Sequence, residues 1–89
     1  MDGPATLAKG QKYRPLADWL ARQRVRTVAV HFAAIEDVIG ANLPPSAFRY
    51  PAWWANHPGH VAAQAWLSVG WCTSDLDLTE RMVIFRKGT

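Results

Sequence analysis

Three histidines and a single cysteine limit the chemistry open to this 89-residue chain. His57 and His60 lie three apart, and with His31 and Cys72 they are the only imidazole and thiol groups a zinc ion would find. That histidine spacing is common where a helix begins, and no carboxylate joins it at a diagnostic distance, so it does not define a metal centre. Cys72 falls in a segment that reads as strand, where a buried thiol is inert, which argues against a cysteine–histidine nucleophile pair. Asp75 and Asp77 alternate as strand residues do and mark a solvated hairpin end, with no Glu-x-Lys nuclease signature beside them. The expectation is a protein that is not an enzyme and carries no metal or cofactor.

Binding chemistry is better represented. The stretch from Tyr50 to Trp71 holds four of the five tryptophans, Trp53, Trp54, Trp66 and Trp71. Each such ring buries ~150–250 Å² against a shaped surface, which implies a fixed core here. Adjacent tryptophans do not both point the same way in regular structure. One of Trp53 and Trp54 is expected to enter the core and the other to stack on an unpaired base or anchor a protein partner, with both rings packed beneath the irregular link as the plainer alternative. Trp54 is grouped with the nucleic-acid contacts. Arg49 and Asn56 flank the entry to the following helix and suit phosphate or base, and His57, His60 and Gln64 offer hydrogen bonds to base edges. Arg81 and Lys87 would reach phosphates from the closing hairpin. An ordinary wet helix face for His60 and Gln64, and a helix cap for Asn56, are the plainer alternatives.

Helical and strand periodicities position these groups. Pro15 suits a first helical turn, and Leu16, Trp19 and Leu20 share one face up to Arg22. Alternation of Val28, Val30 and Phe32 predicts a strand from Thr27. Phe32 to Ile39 returns to helical spacing with Ile35, Val38 and Ile39 inward, and Gly40 ends it in the left-handed conformation. Pro44, Pro45 and Pro51 predict an irregular link to Asn56, with Ser46 capping a short turn through Ala47, Phe48 and Arg49. Asn56 or His57 caps a third helix, with Pro58 in its first turn and Gly70 as its stop. Ala62, Ala65, Trp66 and Val69 form its buried stripe, leaving His60 and Gln64 outward. Cys72–Leu76 and the apolar run Met82–Phe85 pair as strands around a turn at 78–81, with Val28–Val30 as a third, and the unbroken run predicts burial on both faces of Met82–Phe85.

Composition bounds the rest. Eighty-nine residues at 49% hydrophobic content suit one compact domain over 13–89, with residues 1–12 as a flexible arm. No apolar run nears the ~20 residues of a membrane span and no leader is evident, so a cytoplasmic protein without membrane contact is expected. A net charge of +3 permits a polyanionic partner without requiring one.

The order helix, strand, helix, link, helix, strand, strand is that of a winged helix-turn-helix domain: α+β, three helices and a small antiparallel sheet. The link from Gly40 to Asn56 is longer than an ordinary helix-turn-helix turn. The succession Phe32-x-x-Ile35-Glu36, Leu43-Pro44-x-Ser46-Ala47, Trp53-Trp54-x-Asn56, His60-x-x-Ala63-x-Ala65-Trp66, Gly70-Trp71 and Val83-x-Phe85-x-Lys87 resembles a small bacterial domain family of uncharacterised function, over roughly residues 12–87. The resemblance implies a short soluble domain, in some members attached to nuclease-like domains, and hence a DNA-related role; it carries over no catalytic residue. The resulting expectation is a non-catalytic domain binding duplex DNA, with a protein-interaction module, an accessory or inhibitory subunit anchored by the tryptophan-rich link, as the alternative.

Overall fold

The structure, a computed structural model, describes residues 9–88. The arm expected at 1–12 lies outside the described residues as far as residue 8. Lys9–Tyr13 forms a turn of 3-10 helix that leads directly into α1 (Arg14–Ala21). Pro15 stands in the first turn of α1, and Leu16, Ala17 and Leu20 are buried while Trp19 packs at the margin. β1 (Thr27–His31) follows, and Phe32 belongs to α2 (Phe32–Ile39) rather than to the strand. Its ring is buried with Ile35.

Gly40 closes α2 at φ 67° and sends its N–H to the Glu36 carbonyl at 2.8 Å. The Glu36 carboxylate in turn accepts the Leu43 N–H at 2.8 Å, fixing the path of the link as it leaves the helix. A Cβ on Gly40 would meet nothing within 4 Å, so only the left-handed backbone opposes a side chain there. Gly40→Ala should therefore lower the unfolding free energy by about 1 kcal/mol, read from urea titrations.

Four helices are present among the described residues where three were expected. The additional one, α3 (Pro45–Arg49), is a single turn within the proline-rich link, with Pro45 at its start and Pro44 rather than Ser46 in the cap position. Tyr50 is extended, as a residue before proline must be, and Pro51–Trp54 makes a second 3-10 turn. The alanine-rich helix α4 (Val61–Ser68) begins later than Pro58 suggested. Pro58 and Gly59 instead form a separate turn closed by the His60 N–H on the His57 carbonyl at 2.9 Å, and His60 takes the cap position. Ala62, Ala63, Ala65 and Trp66 are buried on α4, and Val69 only partly.

β2 (Trp71–Asp77) and β3 (Met82–Lys87) complete an antiparallel sheet of order β1-β3-β2. Register runs Val30 opposite Val83 and Val28 opposite Phe85, and a bulge at Ser74 separates the Thr73–Phe85 and Asp75–Ile84 pairs. The unbroken apolar run of β3 is not buried on both faces. Val83 and Phe85 are sealed beneath the helices, whereas Met82 and Ile84 are partly exposed, because no second layer of the described residues covers that side.

A ladder of rings ties the layers together. Phe32 stacks on Trp54 at 4.7 Å, Trp54 lies parallel to Trp66 at 6.1 Å, and Trp66 meets Phe85 edge-on at 5.4 Å. One column thus links α2, the link, α4 and the central strand.

Candidate nucleic-acid interface

The turn before α4 gathers three of the expected contact residues. His57 Nδ1 accepts the Gly59 N–H at 3.0 Å, which leaves the ring proton on Nε2. The His57 and His60 rings stack at 5.0 Å between centroids. Gln64 lies one helical turn beyond His60 and donates its Nε2 to the Pro58 carbonyl at 3.0 Å, keeping its Oε1 as an acceptor. His57, His60, Gln64 and Ser68 are exposed, so this side of α4 and its leading turn is not covered by the described chain. From Val38 to Ser74 the one charged residue is Arg49, exposed at the end of α3.

Arg81 comes near Arg49 from the hairpin. Its guanidinium lies over the Phe48 ring at 5.2 Å, one residue from Arg49. Arg81 also adopts φ 55°, held there by its own carbonyl accepting the Phe32 N–H at 2.8 Å. Lys87 is not brought to this group. Six residues of β3, roughly 20 Å of strand, separate it from Arg81. It lies instead beside Arg26 and Arg86, through Lys87 N–H to the Arg26 carbonyl at 2.7 Å and the Thr27–Arg86 pair. That basic end meets the chain leaving α4, where the Gly88 N–H bonds the Gly70 carbonyl at 2.7 Å. The two hairpin cations expected to act together, Arg81 and Lys87, are therefore divided. Asp77 and Glu80 flank the turn with Arg81, and Asp77 Oδ1 accepts the Glu80 N–H at 2.9 Å.

Two expected contacts are structural. Trp54 is 2% exposed, and its indole N–H is donated to the Ala47 carbonyl at 2.8 Å, so no base can reach it. The 3-10 turn sends Trp54 into the ring column and leaves Trp53 half-buried at the surface. Asn56 neither caps α4 nor is free for phosphate. Its Nδ2 donates to the Thr73 carbonyl at 2.8 Å, and its Oδ1 accepts the Thr73 N–H at 2.8 Å and the Trp66 indole N–H at 2.9 Å, while the Thr73 hydroxyl donates its one proton to the Trp54 carbonyl at 2.7 Å. One side chain thus clamps the link to β2 and α4 together.

Sequence reasoning missed the groove beside this surface. Tyr13, Tyr50 and Trp53, with Ser46, His60 and Ala62, border a space of about 580 Å³ at the start of α4. Tyr13 meets Trp53 edge-on at 5.9 Å, and Tyr50 is 57% exposed. Burial raises the Tyr13 phenol above the ordinary tyrosine value, keeping the hydroxyl protonated. The usable signal was the Tyr50-Pro51 pair, whose extended geometry turns Tyr50 outward; Tyr13 lay at the edge of the supposed arm and carried none. Among the described residues no three of His, Cys, Asp and Glu converge as a metal site, and no helix is long and apolar enough to cross a membrane.

Helices on one face of a three-stranded antiparallel sheet, with an aromatic groove at the start of α4, define a small α+β domain built on its tryptophans. Residues 13–88 match the model of the family described as Domain of unknown function (DUF7662), and the chain belongs to that family. No curated protein and no solved structure matches the chain.

Proposed function

We propose that this is a non-catalytic nucleic-acid-binding domain of winged-helix type, engaging duplex DNA with α4. The element order and the sheet order β1-β3-β2 support the winged-helix reading, with α3 and the second 3-10 turn inserted before the presenting helix. The observation that carries the function is the exposed His57–His60–Gln64 side of α4, free of acidic residues and uncovered by the described chain. Gln64 and the histidines read base edges, while cations flanking this surface take phosphates: Arg49 and Arg81 beside α3, and Arg26, Arg86 and Lys87 beside the chain leaving α4. Trp54 and Asn56 act on DNA only by holding the fold.

Five phosphate contacts imply a slope of log affinity on log salt of about −4.5, or a loss on the order of several hundred-fold between 50 and 200 mM salt. Fluorescence anisotropy with a random duplex should give that slope. Arg49→Gln and Lys87→Gln should each reduce it by about one, and Gln64→Ala should change sequence preference and leave the slope alone. Absence of duplex binding at 50 mM salt would overturn the reading. Binding partners insensitive to salt and dependent on Trp53 would instead mark a protein-interaction module.

A further inference from the structure

Resting on the nucleic-acid reading, we propose that the groove between Tyr13, Tyr50, Trp53 and the start of α4 receives one unstacked nucleotide, its base against the aromatic wall and its phosphate at the helix N-terminus. The domain then recognises DNA carrying an extrahelical base in preference to a perfect duplex.

Three independent features of the groove match three parts of a nucleotide. The wall supplies π faces: Tyr50 is open to solvent, Trp53 is half-exposed, and Tyr13 stands edge-on to Trp53. A base stacks on such faces whatever its identity. The second feature is an unpartnered polar group. The Tyr13 side chain is only 7% exposed and lines the groove, yet its hydroxyl makes no hydrogen bond to any described residue. A protonated phenol left unsatisfied at a cleft both donates and accepts, as a base edge requires. The third is the start of α4. His60 provides no side-chain cap, and the N–H groups of Val61 and Ala62, both at the groove, have no acceptor among the described residues. Such groups, with the positive end of the helix dipole, favour a phosphate.

Charge and size agree with this occupant. Among the described residues no carboxylate lines the groove, and Arg49 immediately precedes Tyr50. Its volume of about 580 Å³ falls within the ~300–1,000 Å³ usual for small-ligand sites. The groove shares His60 with the exposed side of α4, so a duplex held there presents its nearest nucleotide to the opening. Extruding a paired base is unfavourable and a bulged base needs no such step, which makes the preference measurable.

The test compares a perfect duplex, the same duplex with one bulged nucleotide, and that duplex with the bulge reduced to an abasic sugar, all in one salt buffer. The base-bearing bulge should bind about 5- to 100-fold more tightly than the perfect duplex. The abasic bulge should lose that gain. Trp53→Ala and Tyr50→Ala should each bring the bulge down toward the perfect duplex while leaving perfect-duplex affinity unchanged, and Tyr13→Phe should remove part of the gain. Tyr50 is exposed enough that its variant folds normally, so the proposal stays testable if Trp53→Ala does not fold. Equal binding of bulge and perfect duplex, or equal binding of base-bearing and abasic bulges, overturns the nucleotide groove and leaves the duplex reading standing. Binding of none of the three at low salt overturns both.

Discussion

Truncating Trp54 to alanine is expected to lower the unfolding free energy by about 3–5 kcal/mol, the range for deleting a large buried aromatic side chain. Trp54 is 2% exposed and stands in the ring column, 4.7 Å from Phe32 and 6.1 Å from Trp66. Its removal opens a void between α2 and α4 and leaves the Ala47 carbonyl without its indole partner. A domain of this size has roughly 5–10 kcal/mol of total stability, so the variant should be partly unfolded near physiological temperature. Trp54→Phe keeps a stacking ring and loses the hydrogen bond and part of the volume, for a smaller loss of about 1–3 kcal/mol. Urea titration of both variants checks the order and the sizes. A loss below about 1 kcal/mol for Trp54→Ala would remove the ring from the core. Any loss of DNA affinity in that variant should follow its folded fraction. Loss of affinity for the bulged duplex in Trp53→Ala, by contrast, should appear with the fold intact and with perfect-duplex affinity unchanged.

Neighbouring residues of one chemical type were where sequence and structure parted. Leu16 and Leu20, the Gly40 stop and the Val83–Phe85 pair follow local spacing, and they stand where spacing puts them. The pairing of β2 with β3 was legible for the same reason, because a turn joins them, whereas the place of β1 on the other side of β3 was not, since no local signal links strands so far apart in the chain. Trp53 and Trp54 were not separable. In a 3-10 turn successive side chains diverge by about 120°, and which one goes inward depends on where Phe32 and Trp66 stand, 22 positions before and 12 after Trp54. Pro58 had the right type for a helix start, but the His57–Gly59 turn ahead of it moved the boundary to Val61. The side chains of the candidate surface that the helix itself dictates, His60 and Gln64, were legible; the groove, formed by residues from 13 to 62, was not.

Asn56→Ala is expected to cost about 2–4 kcal/mol, although the residue is exposed and an exposed asparagine ordinarily contributes little. Its three hydrogen bonds span 10 positions to Trp66 and 17 to Thr73, so no local pattern announces them. The partners are not equal. Water can replace the side chain at the Thr73 backbone, which lies near the surface, whereas the Trp66 indole N–H belongs to a ring with 0% exposure and is left unsatisfied. Asn56→Asp separates the two halves of the clamp. It keeps an acceptor for the Thr73 and Trp66 donors but sets a carboxylate oxygen against the Thr73 carbonyl that Nδ2 now serves. The aspartate variant should therefore be less stable than the parent and more stable than the alanine variant. Trp66 fluorescence should separate them too, since only alanine removes the indole's acceptor. Were alanine and aspartate equally damaging, the bond to the Thr73 carbonyl would dominate the clamp. Were both harmless, the link would be held by the ring column alone, and the start of α4, with the groove and the histidines it carries, would have to be positioned by Trp54.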